Sequence, residues 1–116
     1  MKNIITILIL LVGCATTPTV KSVTGTYGST QSGDIWRSVL LDDGIFEDYK
    51  NGKKHGKDNK WKITKDGELH FEYDHAETYV FRINKDCSIT DIARISKDGK
   101  RKDIPKEQQM TWKKIK

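Results

Sequence analysis

The sequence predicts an all-β domain: an antiparallel meander of about eight short strands that curls into a small barrel or half-barrel. Two observations support this fold class. Turn signals recur at short intervals from residue 25 onward, and the segments between them alternate apolar or aromatic residues with polar ones. No segment after residue 25 is long and amphipathic enough to predict a substantial helix. A curled sheet is favoured over a flat one because it leaves fewer unpaired strand edges.

The turn signals place a residue that tolerates positive φ directly after Asp or Asn. Four of them contain Gly. In the fifth, Cys87 follows Lys85-Asp86, where Lys65-Asp66 and Lys97-Asp98 are each followed by Gly, so Cys87 is predicted as a turn residue. The five predicted turns are Asp42-Asp43-Gly44, Lys50-Asn51-Gly52, Lys65-Asp66-Gly67, Lys85-Asp86-Cys87 and Lys97-Asp98-Gly99.

The strand predictions depend on a period of two, the signature of a half-buried strand. Leu69, Phe71 and Tyr73 are predicted to share one face, with polar residues on the other. Pro105 to Met110 is the single segment predicted as a short helical turn. The predicted strands are Gly25 to Gly28, Ile35 to Leu41, Ile45 to Tyr49, Lys60 to Thr64, Leu69 to Tyr73, Tyr79 to Ile83, Ser88 to Ile95 and Met110 to Ile115.

The N-terminus has the pattern of a short export signal. Lys2 precedes an apolar run from Ile4 to Val12, which is about half the roughly 20 residues that a spanning helix needs. The motif Leu11-Val12-Gly13-Cys14 resembles the bacterial lipobox. That resemblance implies a signal peptide over residues 1–13, cleavage before Cys14 and a lipid on the Cys14 thiol.

Lipidation implies a membrane anchor of two or three acyl chains, which holds a protein stably where one chain does not. Residues 14–24 are rich in Thr, Ser and Pro and are interpreted as a flexible stalk before a domain over residues 25–116. Position 15 is Ala rather than Asp, which favours the outer membrane if the source is Gram-negative. The alternative is an ordinary secretory signal with a cleavage site such as Ala15-Thr16-Thr17.

Short segments in the domain are similar to the small lipocalin-like domains of bacterial lipoproteins. They are Gly25-Thr26-Tyr27, Asp43-Gly44, Lys60-Trp61-Lys62-Ile63, Tyr79-Val80-Phe81-Arg82-Ile83 and Thr111-Trp112-Lys113-Lys114. The resemblance covers roughly residues 25–116 and implies a small β-barrel. A ligand carrier of this kind would have a pocket between Trp61, Phe71, Phe81 and Trp112; the alternative assigns these aromatic side chains to the core.

Charge and cysteine content narrow the partner classes. The formal net charge is +5, but Lys and Arg are interspersed with Asp and Glu and the richest cluster lacks aromatic residues, so no nucleic-acid groove is predicted. If Cys14 carries lipid, we expect a fold without an intramolecular disulfide.

The most suggestive polar cluster consists of His70, Glu72, Asp74, His75 and Glu77. Strand alternation explains these residues as a solvated face, so no metal site or cofactor is predicted.

No catalytic constellation is apparent: there is no nucleophile elbow, no phosphate-binding glycine loop and no persuasive Cys-His pair. We therefore expect a non-enzymatic, lipid-anchored protein of the bacterial envelope that contacts another envelope protein or a glycan. Two alternatives stay open. One is a small lipocalin-like carrier of an apolar ligand, and the other is an envelope inhibitor or exclusion factor.

Overall fold

A computed structural model describes residues 17–74 and 76–116 and shows a closed antiparallel barrel of eight strands, which confirms the predicted fold class. The signal motif, Cys14 and His75 lie outside the described residues. The ten strands are β1 Gly25–Gln31, β2 Asp34–Leu40, β3 Ile45–Lys50, β4 Lys53–Lys54, β5 Asn59–Ile63, β6 Leu69–Glu72, β7 Thr78–Ile83, β8 Ile89–Ile95, β9 Arg101–Asp103 and β10 Thr111–Lys114.

The barrel closes between its first and last strands. The order around it is β1-β2-β3-β5-β6-β7-β8-β10, and β10 pairs with both β8 and β1. Strands β4 and β9 lie outside this ring, β4 on β3 and β9 on β8. At the closure, the Thr26 N–H donates to the Lys116 carbonyl at 2.8 Å, and a Cβ at Gly25 would lie only 2.3 Å from that oxygen. Glycine at residue 25 therefore permits the start of β1 to approach Lys116 closely.

All five predicted turns contain a residue with positive φ, as expected. Cys87 has φ 73° and occupies the position at which Gly67 and Gly99 stand in their turns. The β1–β2 hairpin, where Ser32 and Gly33 have φ 51° and 85°, was not predicted from the sequence. Two consecutive residues with positive φ are typical of the tight hairpin turns that match strand twist.

The packed domain begins before the predicted start at residue 25. A single-turn helix, α1 Val20–Val23, is capped at Thr19, whose side chain accepts from the Ser22 N–H. Val23 is buried in the core, and its carbonyl accepts a 2.7 Å hydrogen bond from the Tyr27 hydroxyl. Burial raises the pKa of Tyr27 to about 12. Residues 20–23 therefore close one end of the barrel, although the sequence reading placed them in the stalk.

Three further findings complete the fold. The predicted helical turn is confirmed as a 3₁₀ turn over Lys106–Gln108. Strands β4 and β9 were not predicted because their side chains are exposed and charged, so they show no apolar alternation. Within residues 17–74 and 76–116, no helix has the length and apolar character required to cross a membrane.

Candidate functional site

A cavity of about 560 Å³ opens at the end of the barrel opposite α1. Several of its lining residues lie at or near the strand ends that an antiparallel barrel brings to one rim: Gln31 ends β1, Trp36 lies near the start of β2, and Arg94 lies near the end of β8. The complete lining is Gln31, Trp36, Ser38, Asp48, His55, Phe71, Tyr73, Tyr79, Phe81, Asp91, Arg94, Ile104, Gln108, Met110 and Trp112.

Stacked aromatic rings form the floor of the cavity. Phe71 and Phe81 are 2% and 3% exposed, and their ring centroids lie 4.6 Å apart. Phe46, which belongs to the core below them, stacks on Phe71 at 4.4 Å and meets the Tyr73 ring edge-on at 5.2 Å. These contacts join the cavity directly to the hydrophobic core, so the floor is rigid and apolar.

Asp48 is one of the two carboxylates that line the cavity. It lies two residues after Phe46 on β3, and period two therefore turns both side chains toward the barrel interior. Its Oδ1 accepts from the Ser38 hydroxyl at 2.7 Å and its Oδ2 from the Tyr73 hydroxyl at 2.9 Å. Each carboxylate oxygen is thus held by one neutral donor, Ser38 in β2 and Tyr73 directly after β6.

The Asp48 carboxylate is a charged group that is largely removed from water. Burial raises the pKa of Asp48, although the Ser38 and Tyr73 hydrogen bonds and the nearby His55 favour the ionised form. The pKa of Tyr73 is raised strongly, first by burial and then by the charge and hydrogen bond of Asp48. The Tyr73 proton therefore stays on the phenol and remains available as a donor.

A second charged group lies on β8. The Arg94 guanidinium forms two hydrogen bonds with the Asp91 carboxylate, one of them Nη2 to Oδ2 at 2.8 Å, and its central carbon stands 3.5 Å from the centroid of the Tyr79 ring. Burial opposes the charge on Arg94, but the hydrogen bond and charge of Asp91 outweigh it, so the pKa of Arg94 is raised.

A β-bulge makes this pair possible. Phe81 pairs with Asp91 and Val80 with Ala93, so β8 carries one additional residue, Ile92, between the two pairs. Strict alternation would turn residues 91 and 94 to opposite faces of the strand. The additional residue brings both side chains to the cavity.

The mouth of the cavity is built from Trp36 and His55, whose rings meet edge-on at 5.0 Å. Lys50 lies over the Trp36 ring at 5.5 Å, so an ammonium group already approaches one aromatic ring of the rim. The backbone carbonyl of Asp48 accepts from the His55 N–H at 2.8 Å, which fixes the segment after β4 against β3.

Three of the four aromatic residues expected to form a ligand pocket do line it: Phe71, Phe81 and Trp112. The fourth, Trp61, does not. It is 4% exposed, and its Nε1 donates to the carbonyls of Leu41 and Ile45 at 2.9 and 3.1 Å at the closed end of the barrel. Trp61 is therefore a core residue, as the alternative interpretation held.

The polar cluster around β6 has the character of an outer sheet face. The His70 ring contacts the Glu68 carboxylate at 3.3 Å, and Lys62 pairs with Glu72 at 3.2 Å. The Asp74 N–H donates to the Asn59 side chain. Among the described residues, no group of three or more His, Cys, Asp or Glu side chains is arranged to hold a metal ion.

Cys87 differs from the expectation in its covalent state. The structure gives it a disulfide bond, whereas the sequence reading expected a fold without one. Its position in a turn with positive φ is as predicted. The lipidation of Cys14, together with the motif residues Leu11, Val12 and Gly13, falls on residues outside the described part of the chain and stays a prediction.

Sequence reasoning did not single out Asp48, Asp91 or Arg94. For Asp48 a signal was present, because it shares the parity of Phe46 in an alternating strand and a charge at an inward position is unusual. For Asp91 and Arg94 no sequence signal was present, since the bulge that brings them together depends on the pairing of β7 with β8.

Searches found no protein-family model, no curated protein and no solved structure that matches this chain.

Proposed function

We propose that this chain is a lipid-anchored protein of the bacterial envelope whose barrel binds a small molecule in its open cavity. One observation carries the binding role: the cavity of about 560 Å³ between Trp36, Tyr73, Tyr79 and Trp112. Ligand sites in proteins occupy roughly 300–1,000 Å³ and combine an apolar surface with a few convergent polar groups. This cavity has both properties.

The lining favours an amphipathic ligand over a purely apolar one. Phe71 and Phe81 offer a flat apolar floor, whereas Asp48, Asp91 and Arg94 place charges on the walls. A ligand that buried only hydrocarbon would remove the Asp48 carboxylate further from water without supplying a polar partner, since Asp91 and Arg94 are already paired with each other. We therefore infer a flat apolar body that carries at least one polar group.

The proposal assigns binding rather than catalysis to the cavity. Its one serine, Ser38, is 3% exposed, and its hydroxyl donates a hydrogen bond to the Asp48 carboxylate. Its imidazole, His55, packs against Trp36 at the rim. The described lining thus holds no serine activated by a histidine, and its carboxylates are engaged with neighbouring donors.

The anchor is supported by the lipobox resemblance of Leu11-Val12-Gly13-Cys14. Tethering the barrel at a bilayer keeps its cavity within reach of amphipathic molecules that partition into the membrane surface. The envelope protein or glycan partner expected from the sequence is kept as an alternative for the outer surface of the barrel.

Binding is tested with a neutral fluorescent probe, N-phenyl-1-naphthylamine, titrated into the purified domain. We expect saturable emission enhancement in the wild type and a loss of about tenfold or more in affinity for Gln31→Trp, because the larger side chain fills the mouth. Thr30→Trp is the matched control: residue 30 is exposed, lies next to Gln31 on the other face of β1 and does not line the cavity. Equal binding by all three proteins would contradict the cavity as the site.

The anchor is tested by incorporation of radiolabelled palmitate in a bacterial host. We expect label in the wild type and in Cys87→Ser, and none in Cys14→Ser. The chain contains two cysteines, so a lipid on Cys14 and an intramolecular disulfide at Cys87 exclude each other, and the proposed anchor requires a mature chain without the disulfide that the structure gives Cys87. Intact mass of the mature protein is therefore a second readout. A mature chain without lipid, with Cys14 recovered in a disulfide, would contradict the proposed anchor.

A further inference from the structure

We propose that the ligand of this cavity is a small organic cation, an ammonium group on a flat apolar body, held at the Asp48 carboxylate. This inference rests on the proposed small-molecule binding. It adds the chemical class of the ligand, which the shape and size of the cavity leave open.

The charges of the lining carry the argument. Three of its side chains belong to the strongly acidic or basic types: Asp48, Asp91 and Arg94. Arg94 is joined to Asp91 by two hydrogen bonds, so this pair neutralises itself. Asp48 is left as a carboxylate whose hydrogen-bond partners, Ser38 and Tyr73, are both neutral.

Asp48 also lacks an ion pair within the described chain. Among residues 17–74 and 76–116, no Lys, Arg or His nitrogen lies within 4.0 Å of its carboxylate. A carboxylate removed from water without a counterion is unfavourable, and a cation placed beside it recovers that free energy. The protein as a whole is basic, at +5, so an anionic interior is not a consequence of composition.

The carboxylate has acceptor capacity to spare. An ionised carboxyl group offers about four lone-pair sites, and the two hydrogen bonds at 2.7 and 2.9 Å use one on each oxygen. One donor, Ser38, lies in β2 and the other, Tyr73, directly follows β6, so they hold the carboxylate from two different segments of the barrel. An ammonium group provides the N–H donors that complete this arrangement.

Aromatic rings around the carboxylate suit the same ligand. Tyr73 and Tyr79 have ring centroids 4.8 Å apart, and Trp36 stands at the mouth. Cations are attracted to the faces of such rings. Two rings of the lining already hold cations of the protein, Tyr79 with Arg94 at 3.5 Å and Trp36 with Lys50 at 5.5 Å.

An anionic ligand fits less well. Its natural partner is Arg94, but that guanidinium is committed to Asp91 through two hydrogen bonds and to Tyr79 through its face. An anion would have to displace Asp91 while lying in the same cavity as Asp48.

The test is calorimetric titration at pH 8 with three naphthalene probes of similar size: 1-naphthylmethylammonium, neutral 1-naphthylmethanol and anionic 1-naphthoate. For the wild type we expect the cation to bind about tenfold or more tightly than the alcohol, and the naphthoate to bind most weakly. Asp48→Asn keeps the size of the side chain and removes its charge. In this variant we expect the cation to lose its advantage while the alcohol binds as before.

Glu47→Gln is the matched control, because it removes the same charge from the adjacent residue, whose side chain contacts Tyr49 and Lys54 away from the cavity. It should keep the preference for the cation. Retained binding of the alcohol shows that Asp48→Asn is folded. Equal binding of cation and alcohol by the wild type, or an undiminished preference in Asp48→Asn, overturns this inference alone. If none of the three probes binds the wild type, both this inference and the proposed small-molecule binding are contradicted.

Discussion

The Tyr73 hydroxyl donates a 2.9 Å hydrogen bond to the Asp48 carboxylate across the interior of the barrel. Asp48 belongs to β3 and Tyr73 directly follows β6, and β5 separates these two strands in the sheet, so no backbone ladder joins the two residues. Together with the 2.7 Å bond from Ser38, this contact fixes the one carboxylate of the cavity that has no cationic partner in the described chain. Asp48 therefore contributes both to the packing of the cavity wall and to its charge.

Tyr73→Phe should destabilise the domain by about 1–3 kcal/mol, because it leaves one oxygen of a largely buried carboxylate without its donor. Urea denaturation followed by tryptophan fluorescence measures the change. Tyr49→Phe is the matched control, since the Tyr49 hydroxyl donates to Glu47 on the outer face at 3.0 Å. We expect it to change the free energy of unfolding by less than about 0.5 kcal/mol. Equal losses in the two variants would contradict the coupling.

Asp48→Asn should alter the pH dependence of stability. Burial raises the pKa of Asp48 in the folded state above the ordinary value of 3.8, so the folded protein binds more protons than the unfolded one in this range. The contribution of this group to stability therefore falls as pH rises from about 3.8 through the raised pKa. Asp48→Asn should remove that loss, so its stability relative to the wild type should increase from acid to neutral pH. A constant difference across urea titrations from pH 3 to pH 7 contradicts the assignment.

Val23→Ala tests whether the domain starts before residue 25. Val23 is 1% exposed in the core, so truncation should cost about 2 kcal/mol of unfolding free energy. Val20 lies in the same helix but is 47% exposed, and Val20→Ala should change stability by less than about 0.5 kcal/mol. Chemical denaturation of both variants makes the comparison. If both variants were as stable as the wild type, residues 20–23 would belong to the stalk and not to the packed domain.

The Glu68–Arg101 pair should contribute modestly and lose its effect in acid. Arg101 donates two 3.0 Å hydrogen bonds to Glu68, and this contact lowers the pKa of Glu68. Both side chains are partly exposed, so we expect Arg101→Gln to cost about 0–1 kcal/mol at pH 7. Because the folded-state pKa is lowered from 4.5, this stability is present above pH 4.5 and is lost as pH falls through the lowered value.

The control for this pair is Arg82→Gln, which removes an exposed guanidinium that contacts Asn84. Thermal unfolding at pH 7 and pH 3 should show a difference between the two variants at the higher pH that shrinks at the lower one. An unchanged difference at pH 3 would mean that Arg101 acts through packing of its side chain rather than through the Glu68 charge.

The barrel was predictable because its information is local. The eight strands of the barrel were predicted from alternation, as at Leu69 and Phe71, and five turns from a residue that accepts positive φ, including Cys87. The exposed strands β4 and β9 carry no such alternation, and their pairing follows from the chain reversals at Asn51 and Gly99.

The cavity was predictable only in part, because it depends on which end of the barrel is filled. Alternation assigns Trp61 and Trp112 alike to strands, but only the tertiary structure shows that Trp61 packs at the closed end and Trp112 at the open one. The Asp91–Arg94 pair depends on a bulge between β7 and β8. The sequence of either strand alone does not determine such a shift in pairing register.

The most direct measurement is a two-dimensional ¹⁵N–¹H NMR titration of the three tryptophan indole signals with 1-naphthylmethylammonium. Trp36 and Trp112 line the cavity, whereas the Trp61 indole N–H is held by the Leu41 and Ile45 carbonyls at the closed end. We predict saturable shifts of the Trp36 and Trp112 signals with one dissociation constant and a stationary Trp61 signal. Shifts of all three signals that grow linearly without saturation, or no shift at Trp36 and Trp112, would contradict a ligand site in the open end of the barrel.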